Sequence, residues 1–495
     1  MRTTLNAAIA APAPVAARRW LPLVIVALAQ LMIALDATIV NIALPSAQHA
    51  LHIADADRQL VITAYTLAFG GLLLLGGRIA DYLGRKRAFL VGLVGFAAAS
   101  ALGGAATNLG TLLAGRALQG AFAAVLAPTA LSLLAVTFTD PAERARAFAV
   151  YGAIAGSGGA AGLLLGGVVT EYLAWRWCLY VNVPIALAAV AGGSVALPDV
   201  RPAGRPRLDI PGVLLATGSL TAVVYACSQA VSHGWGARTV AGLLAAGAVL
   251  LTLFVVQESR SANPLLPLRI VASRNRGGAY LATALAVVGM FAMFLALTYD
   301  FQVVLRYSPV RAGLAFLPMS AAVMAGSTGI ASRLLPRVPP RVLIAPGLLA
   351  AAAACAWLTR LHPGSAYLTH ALPAEVLAGL GMGLAFVPAF SLATQGIAPR
   401  EAGIASAMVN AANQVGGSVG TAVLNSIAAS ATARYLAAHA GGPATAALAL
   451  LHGFSVAIGW GAGILAAAAL IAAVLIDAGR PSHSPTSPSQ RGDAR

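Results

Sequence analysis

One carboxylate in this chain stands where only lipid-facing residues are expected. In the stretch LDATIVNIALP, Leu35 to Pro45, Asp36 lies in a run from about Leu21 to Leu44 that carries no other charge. Some 20 apolar residues, at ~1.5 Å each, suffice to cross ~30 Å of hydrocarbon. A charged group at that depth is penalised by roughly 2.5–3.5 kcal/mol and is retained where it faces a bundle interior or a watery cavity, which makes it a proton or ion site by default. Pairing for packing alone is the structural alternative. Arg116, in GRALQGAFAAVLAPTA, is the Arg that falls well inside a span, and it needs a partner. Counted at ~1.5 Å per residue from the outer ends of their spans, Asp36 lies ~12 Å deep and Arg116 ~9 Å deep, so the two can meet across a cavity. Asn41 and Gln119 stand close to them in sequence and are the polar groups expected to line that cavity.

Other residues carry related chemistry. The connection GGRIADYLGRKR crowds Arg78, Asp81, Arg85, Lys86 and Arg87 between Gly77 and Gly84, where glycine permits a tight turn or close backbone approach. A plain positive loop would need neither the Asp nor the fixed glycines. Gly158, Gly162 and Gly166 recur every four residues and line one helix face, so a second helix can approach closely there. At the seam of a bundle such a face can also act as a sliding surface. Glu375, in LPAEVLAGLGMG, is a second carboxylate at membrane depth, and in a gapless internal alignment it falls opposite Arg116. The competing placement for Glu375 is the outer interface beside His370. Asp300, at the outer end of its span, is expected to be solvated. Asn410, Asn413 and Gln414 share a helix face, suited to lining a cavity or bonding another helix.

The elements that must position these groups follow from composition. The 495 residues are 59% hydrophobic and 9% charged, with mean hydropathy +0.83, which marks a polytopic membrane protein. The runs are continuous rather than alternating, so they are helices and not barrel strands. Fourteen spans are expected, and with the N-terminus inside, roughly 23 of the 31 Lys and Arg fall on the cytoplasmic side. Both termini are then cytoplasmic, and the net charge of +16 is an orientation signal facing anionic lipid rather than a nucleic-acid surface. Cys178, Cys227 and Cys355 lie in apolar runs without metal-like spacing, and neither a metal nor a disulfide framework is implied.

The order of spans is six, two, six. A cytoplasmic segment 1–19 leads into a six-helix bundle at 20–198, linkers with two inserted spans occupy 199–275, and a second six-helix bundle fills 276–477 before a tail at 478–495 of disordered composition. GIASRLLPR from Gly329 matches the register of GRIADYLGR from Gly77 in degenerate form, as expected of two halves built from a repeat.

LDATIVNIALP, GRIADYLGRKR and RALQG, each in its proper span, together with the two-span insertion, resemble the major facilitator superfamily, and within it the fourteen-span drug:proton antiporters of the EmrB/QacA type. The resemblance covers nearly the whole chain. It implies that Asp36 is the protonation site and Arg116 its basic partner; Glu375 joins them as a proton-coupling candidate from its depth and internal register alone. The resemblance further implies that Gly77, Asp81, Gly84, Arg85 and Arg87 form a cytoplasmic latch, and that Gly158, Gly162 and Gly166 correspond to the antiporter motif. The chain departs from the pattern at Leu163, where a Pro commonly follows the glycine, and at Leu60, where a Trp is common. The span holding Asn410 has no acid beyond Glu401 at its edge, which argues against strict selectivity for divalent cations.

The expected function is proton-driven export of lipophilic compounds, monocations among them, by alternating access in a bacterial plasma membrane. No cofactor is expected beyond the proton gradient; the expected partners are substrate, protons and the bilayer, not nucleic acid, with a monomer as the default and accessory proteins left open by the sequence. Uptake of a small metabolite on the same fold is the competing reading. Enzyme and sensor classes lack their marks: no paired His, no metal-spaced acids, no activated Ser and no sizeable soluble domain. Composition rich in Ala and Arg, with Lys86 the single Lys, fits a GC-rich bacterial genome.

Overall fold

A computed structural model describes residues 16–53, 58–199, 209–261, 264–301, 305–360, 365–398, 401–439 and 443–479. The N-terminal segment, the basic connection after Asp199 and nearly all of the C-terminal tail lie outside the described residues. Every regular element described is helical.

The first half comprises α1 (Ala16–Leu51), α2 (Arg58–Leu83), α3 (Arg85–Gly104), α4 (Leu109–Thr137), α5 (Pro141–Tyr172), the short α6 (Trp177–Tyr180) and α7 (Asn182–Ala196). A hairpin of α8 (Ile210–His233) and α9 (Arg238–Arg260) follows, then a short α10 (Leu268–Ala272). The second half begins with α11 (Arg274–Tyr299), followed by a broken crossing made of α12 (Pro309–Ala315), α13 (Leu317–Met324), a π-helical stretch Ala325–Ala331 and α14 (Ser332–Leu334). It ends with α15 (Arg341–Leu358), a π-helical turn Tyr367–Ala371 running into α16 (Leu372–Thr394), then α17 (Ala402–Ala438) and α18 (Pro443–Leu475).

Short polar side chains start the helices. Asn108 accepts from the Thr111 amide at 2.9 Å and Asp140 accepts from the amides of Ala142 and Glu143 at 3.0 and 2.9 Å. Asp209 does the same for Gly212 at 3.0 Å. Each occupies N–H groups that a helix leaves without partners at its first turn. Inside α4, Pro128 has no N–H to offer the Ala124 carbonyl. There Gly76 of α2 comes so close that a Cβ would lie 2.0 Å from that oxygen.

Among the described residues, twelve helical segments are long and apolar enough to cross a membrane, so the protein is a multi-pass membrane protein. The glycine-rich α5, 32 residues long, and α17, 37 residues long, are not among the twelve. Both sit at the junction of the halves: α5 packs on α1, α13 and α16, and α17 on α2, α4, α8 and α11. The hairpin lies outside this junction, with α8 wedged against α2 and α17. One end of the assembly carries the basic connections, including Arg78, Arg85 and Arg269, and is called the basic end below.

Candidate functional site

Five helices converge on Asp36, which is fully buried in the N-terminal half. α4 presents Arg116 and Gln119 three residues apart, the spacing that puts two side chains on one face. Arg116 Nη1 donates to Asp36 Oδ2 at 2.8 Å, and Gln119 Nε2 donates to Oδ1, also at 2.8 Å. α7 adds Asn182, whose Nδ2 donates to Oδ1 at 2.8 Å. Ser100 of α3 lies 2.7 Å from Gln119 Nε2, and Arg116 Nη1 also reaches Gln119 Oε1 at 2.9 Å. From α2, the Tyr65 ring lies under the guanidinium, 4.4 Å from Cζ to the ring centre.

The carboxylate is therefore held by one cation and two amides, all out of water. Removing either partner of such a pair leaves an uncompensated buried charge, at roughly 3–5 kcal/mol. A proton on Asp36 would cancel the Coulomb attraction for Arg116 while leaving the guanidinium charged. Arg116 Nε, Asn182 Oδ1 and the Tyr65 hydroxyl are buried without hydrogen-bond partners.

At the basic end a second acid joins the halves. Asp81 Oδ1 accepts from the Gly403 amide at 3.2 Å and lies 3.6 Å from Arg85 Nη2. Gly403 belongs to the first turn of α17, where free N–H groups and the helix dipole favour a carboxylate. The approach needs glycine on both sides: a Cβ on Gly77 would lie 2.8 Å from the Gly403 oxygen, and one on Gly403 2.5 Å from the Gly77 oxygen. Gly84, at φ +87°, makes the turn from α2 into α3. Arg78 donates to the Pro264 carbonyl at 2.9 Å, Arg269 pairs with Glu401, and Arg144 donates to Thr394 at 2.8 Å. Arg87 points to the exposed surface and stands apart from these contacts.

Gly158, Gly162 and Gly166 all pack against α1, at Ala34, Leu35–Thr38 and Ile39. Expected also as a sliding surface between bundles, they lie instead inside the N-terminal half. Among the described α5 glycines, Gly152 lies near Val387, and Gly167, whose Cβ would lie 3.3 Å from Val310, faces the other half as well. Glycine spacing shows that a close face exists, and the partner depends on how α5 is rotated.

On α17, Asn410 turns its amide back to the Ser406 carbonyl at 3.0 Å, while Asn413 keeps a buried oxygen without a partner. Gln414 packs on α2, where its Cγ would lie 3.2 Å from a Cβ on Gly70. The Asn41 side chain lies outside the described residues. Glu375 is fully buried. Asp300, expected to be solvated, is 2% exposed, and burial raises its carboxyl to about 6 despite the opposing field of His370. Asn182, Ser100 and Tyr65 were not singled out by sequence. The one signal for Asn182 was an amide inside WRWCLYVNVP, just past the aromatic interface.

The sequence profile of the Major Facilitator Superfamily matches residues 26–421. The chain belongs to that superfamily. It is 54% identical over 462 residues to the puromycin resistance protein pur8 of Streptomyces alboniger, covering 93% of this chain and 92% of the relative. It is 43% identical over 413 residues to the cephamycin export protein CmcT of Amycolatopsis lactamdurans, covering 83% and 85% respectively. Among solved structures, the human organic anion transporter MFSD10 (TETRAN) superposes with TM-score 0.62 at 15% identity, covering 92% of this chain and 99% of that one. At that identity the likeness speaks for the fold alone.

Proposed function

We propose that this facilitator exports lipophilic antibiotics and related small molecules, monocations among them, across a bacterial inner membrane in exchange for protons. The observation that carries the proton coupling is Asp36, sealed in the bundle with a cation and two amide donors at 2.8 Å. The export direction draws on the relatives, whose names record puromycin resistance and cephamycin export. In this reading all fourteen long helical segments cross the bilayer, α5 and α17 included, as in the EmrB/QacA type. The basic end and both termini face the cytoplasm, and a single chain suffices.

In the closed arrangement described, Asp36 is the anion that Arg116 requires. When the outer side opens, water reaches the pair and Asp36 takes a proton, which frees Arg116. When the basic end opens, substrate displaces that proton into the cytoplasm, and Asp36 returns to Arg116. Asn413 and Gln414, across α2 from this cluster, offer amide groups to the substrate. Asp81 and the Gly77–Gly403 contact close the basic end between turnovers.

The test uses inverted vesicles with an acidified lumen. Puromycin should discharge the pH gradient through the intact protein, whereas Asp36→Asn, inserted at equal amounts, should leave the gradient standing. Discharge by Asp36→Asn at the intact rate would remove Asp36 from the coupling and sink the reading.

A further inference from the structure

Glu375 sits roughly 12 Å into the span that starts at Tyr367, judged at ~1.5 Å per helical residue. It is 0% exposed, and its Oε1 has no hydrogen-bond partner. Its Oε2 lies 3.3 Å from the Tyr367 hydroxyl. That hydroxyl is 2.9 Å from the Ala315 carbonyl, which can only accept. One hydroxyl proton cannot serve both oxygens, and the shorter contact takes it. An ionised Glu375 would then face a lone pair with one oxygen and nothing with the other, far from water. A neutral acid removes the first problem, since its own proton is donated to the Tyr367 oxygen, and lessens the second, since an uncharged oxygen costs less to bury unpaired than a carboxylate's.

Among the described residues, no cation pairs with it. Beyond Tyr367 lies Tyr307, with Arg311 stacked on that ring at 4.1 Å, while Asp300 and His370 act on each other. Tyr299 of α11 stacks toward Phe454, Tyr151 of α5 meets Phe390, and Tyr280 of α11 reaches the Ala393 and Ala405 carbonyls. Cys355 of α15 lines an apolar gap one turn along α16, with Met319, Ala378, Gly379 and Met382. Lined this way, the gap gives a water molecule nothing to bond.

We infer that Glu375 is a second proton carrier of this transporter, loaded in the closed arrangement while Asp36 is ionised, with Tyr367 as the oxygen that holds its proton. As a step in a transport cycle this role rests on the proton-coupled export proposed above. Tyr367 ties Glu375 to the junction of α12 and α13, and α12 closes on α5 of the other half, where Gly313 meets Leu164. Parting of α12 from α5 breaks this chain and admits water from the outer side, from which Glu375 takes its proton. Opening of the basic end lets the same O–H bond break to cytoplasmic water.

Two readouts on the full-length protein test this. In proteoliposomes with the membrane potential clamped and a pH difference of one unit, each coupled proton multiplies the limiting substrate gradient by about ten. With puromycin as probe, Glu375→Gln should still transport but reach a limiting gradient about tenfold lower than the intact protein. Asp36→Asn should lose proton-driven transport altogether. Equal limiting gradients for the intact protein and Glu375→Gln would overturn the inference and leave the Asp36 reading standing, whereas active Asp36→Asn would sink the latter.

Infrared spectroscopy needs no transport. At neutral pH the intact protein and Asp36→Asn should show a protonated-carboxyl carbonyl band that is missing from Glu375→Gln and shifted in Tyr367→Phe. Absence of that band from the intact protein overturns the inference. A band unmoved in Tyr367→Phe would remove Tyr367 from it.

Discussion

Gly162→Ala tests whether the packing of α5 sets the geometry at Asp36. A Cβ built on Gly162 lies 2.1 Å from Thr38 Oγ1, 2.9 Å from the Leu35 carbonyl oxygen and 3.2 Å from Leu35 Cα. The Thr38 hydroxyl can rotate away, because its bonds to the Ala34 and Leu35 carbonyls are long, at 3.3 and 3.2 Å. The Leu35 backbone cannot. Ordinary contact starts near 3.4 Å, so α1 must retreat by about 0.5 Å at the residue next to Asp36. Bonds to Asp36 now at 2.8 Å would stretch toward 3.3 Å, where hydrogen bonds are weak. Overpacking of this kind costs roughly 1–3 kcal/mol, against ~1 kcal/mol gained from the helix propensity of Ala over Gly. The net expectation is a loss of about 0–2 kcal/mol, with proton-driven transport falling further than stability. Gly159→Ala is the control, since its Cβ would sit 3.6 Å from Thr38 in ordinary contact. Thermal unfolding in detergent and vesicle transport are measured for both. If Gly162→Ala melts and transports as the intact protein does, the α1–α5 contact does not position Asp36.

Two further outcomes follow from the ends of the bundle. Asp81→Ala removes a charged acceptor from the Gly403 amide, a bond worth roughly 1.5–3 kcal/mol, so hydrogen exchange at the start of α17 should quicken about 10–100-fold; unchanged exchange there would refute the latch. Asp300 has its carboxyl raised from 3.8 to about 6, chiefly by burial. Its contribution to stability is therefore full below pH 3.8 and is lost as pH rises through 6. Asp300→Asn, which stays neutral, should gain on the order of 1 kcal/mol over the intact protein at pH 8 and nothing at pH 4. Melting curves at the two pH values decide it, and an equal effect at both would show that ionisation of Asp300 is not involved.

Depth along a span is a one-dimensional quantity, which is why sequence could bring Asp36 and Arg116 to the same level. Their contact, at 2.8 Å, agrees with that reckoning. Asn182, Ser100 and Tyr65 escaped because neutral polar residues occur in many spans as ordinary hydrogen-bonding groups. Only the fold shows that α3, α7 and α2 turn these three toward α1. Asp300 was misplaced for a different reason. Its position at a span end implied water, yet the chain doubles back over it, with the amides of Leu305 and Tyr307 bonded to the carbonyls of Asp300 and Phe301 at 2.8 Å each. The face of Gly158, Gly162 and Gly166 was legible as a close-packing surface, but the rotation of α5 that turns it to α1 is set by packing of both halves.

The same packing couples the Asp36 cluster to the latch. α2 carries Tyr65 under Arg116 near one end and Asp81 at the other, 16 residues and ~24 Å apart along a helix. Its contact with α4 leaves no slack at either level. A Cβ on Gly120 would lie 2.3 Å from the Tyr65 oxygen, and one on Gly76 2.0 Å from the Ala124 oxygen. Backbone against backbone at two separated points prevents α2 from sliding or rolling on α4 without a clash. In the proposed cycle, a movement of the α4 backbone that carries Arg116 away from Asp36 would not be absorbed between these helices and would be passed to Gly77 and Asp81, where α2 meets α17 across an equally tight pair of glycines. Rigid glycine contacts, rather than a chain of polar side chains, would then join the buried carboxylate to the closure proposed for the basic end.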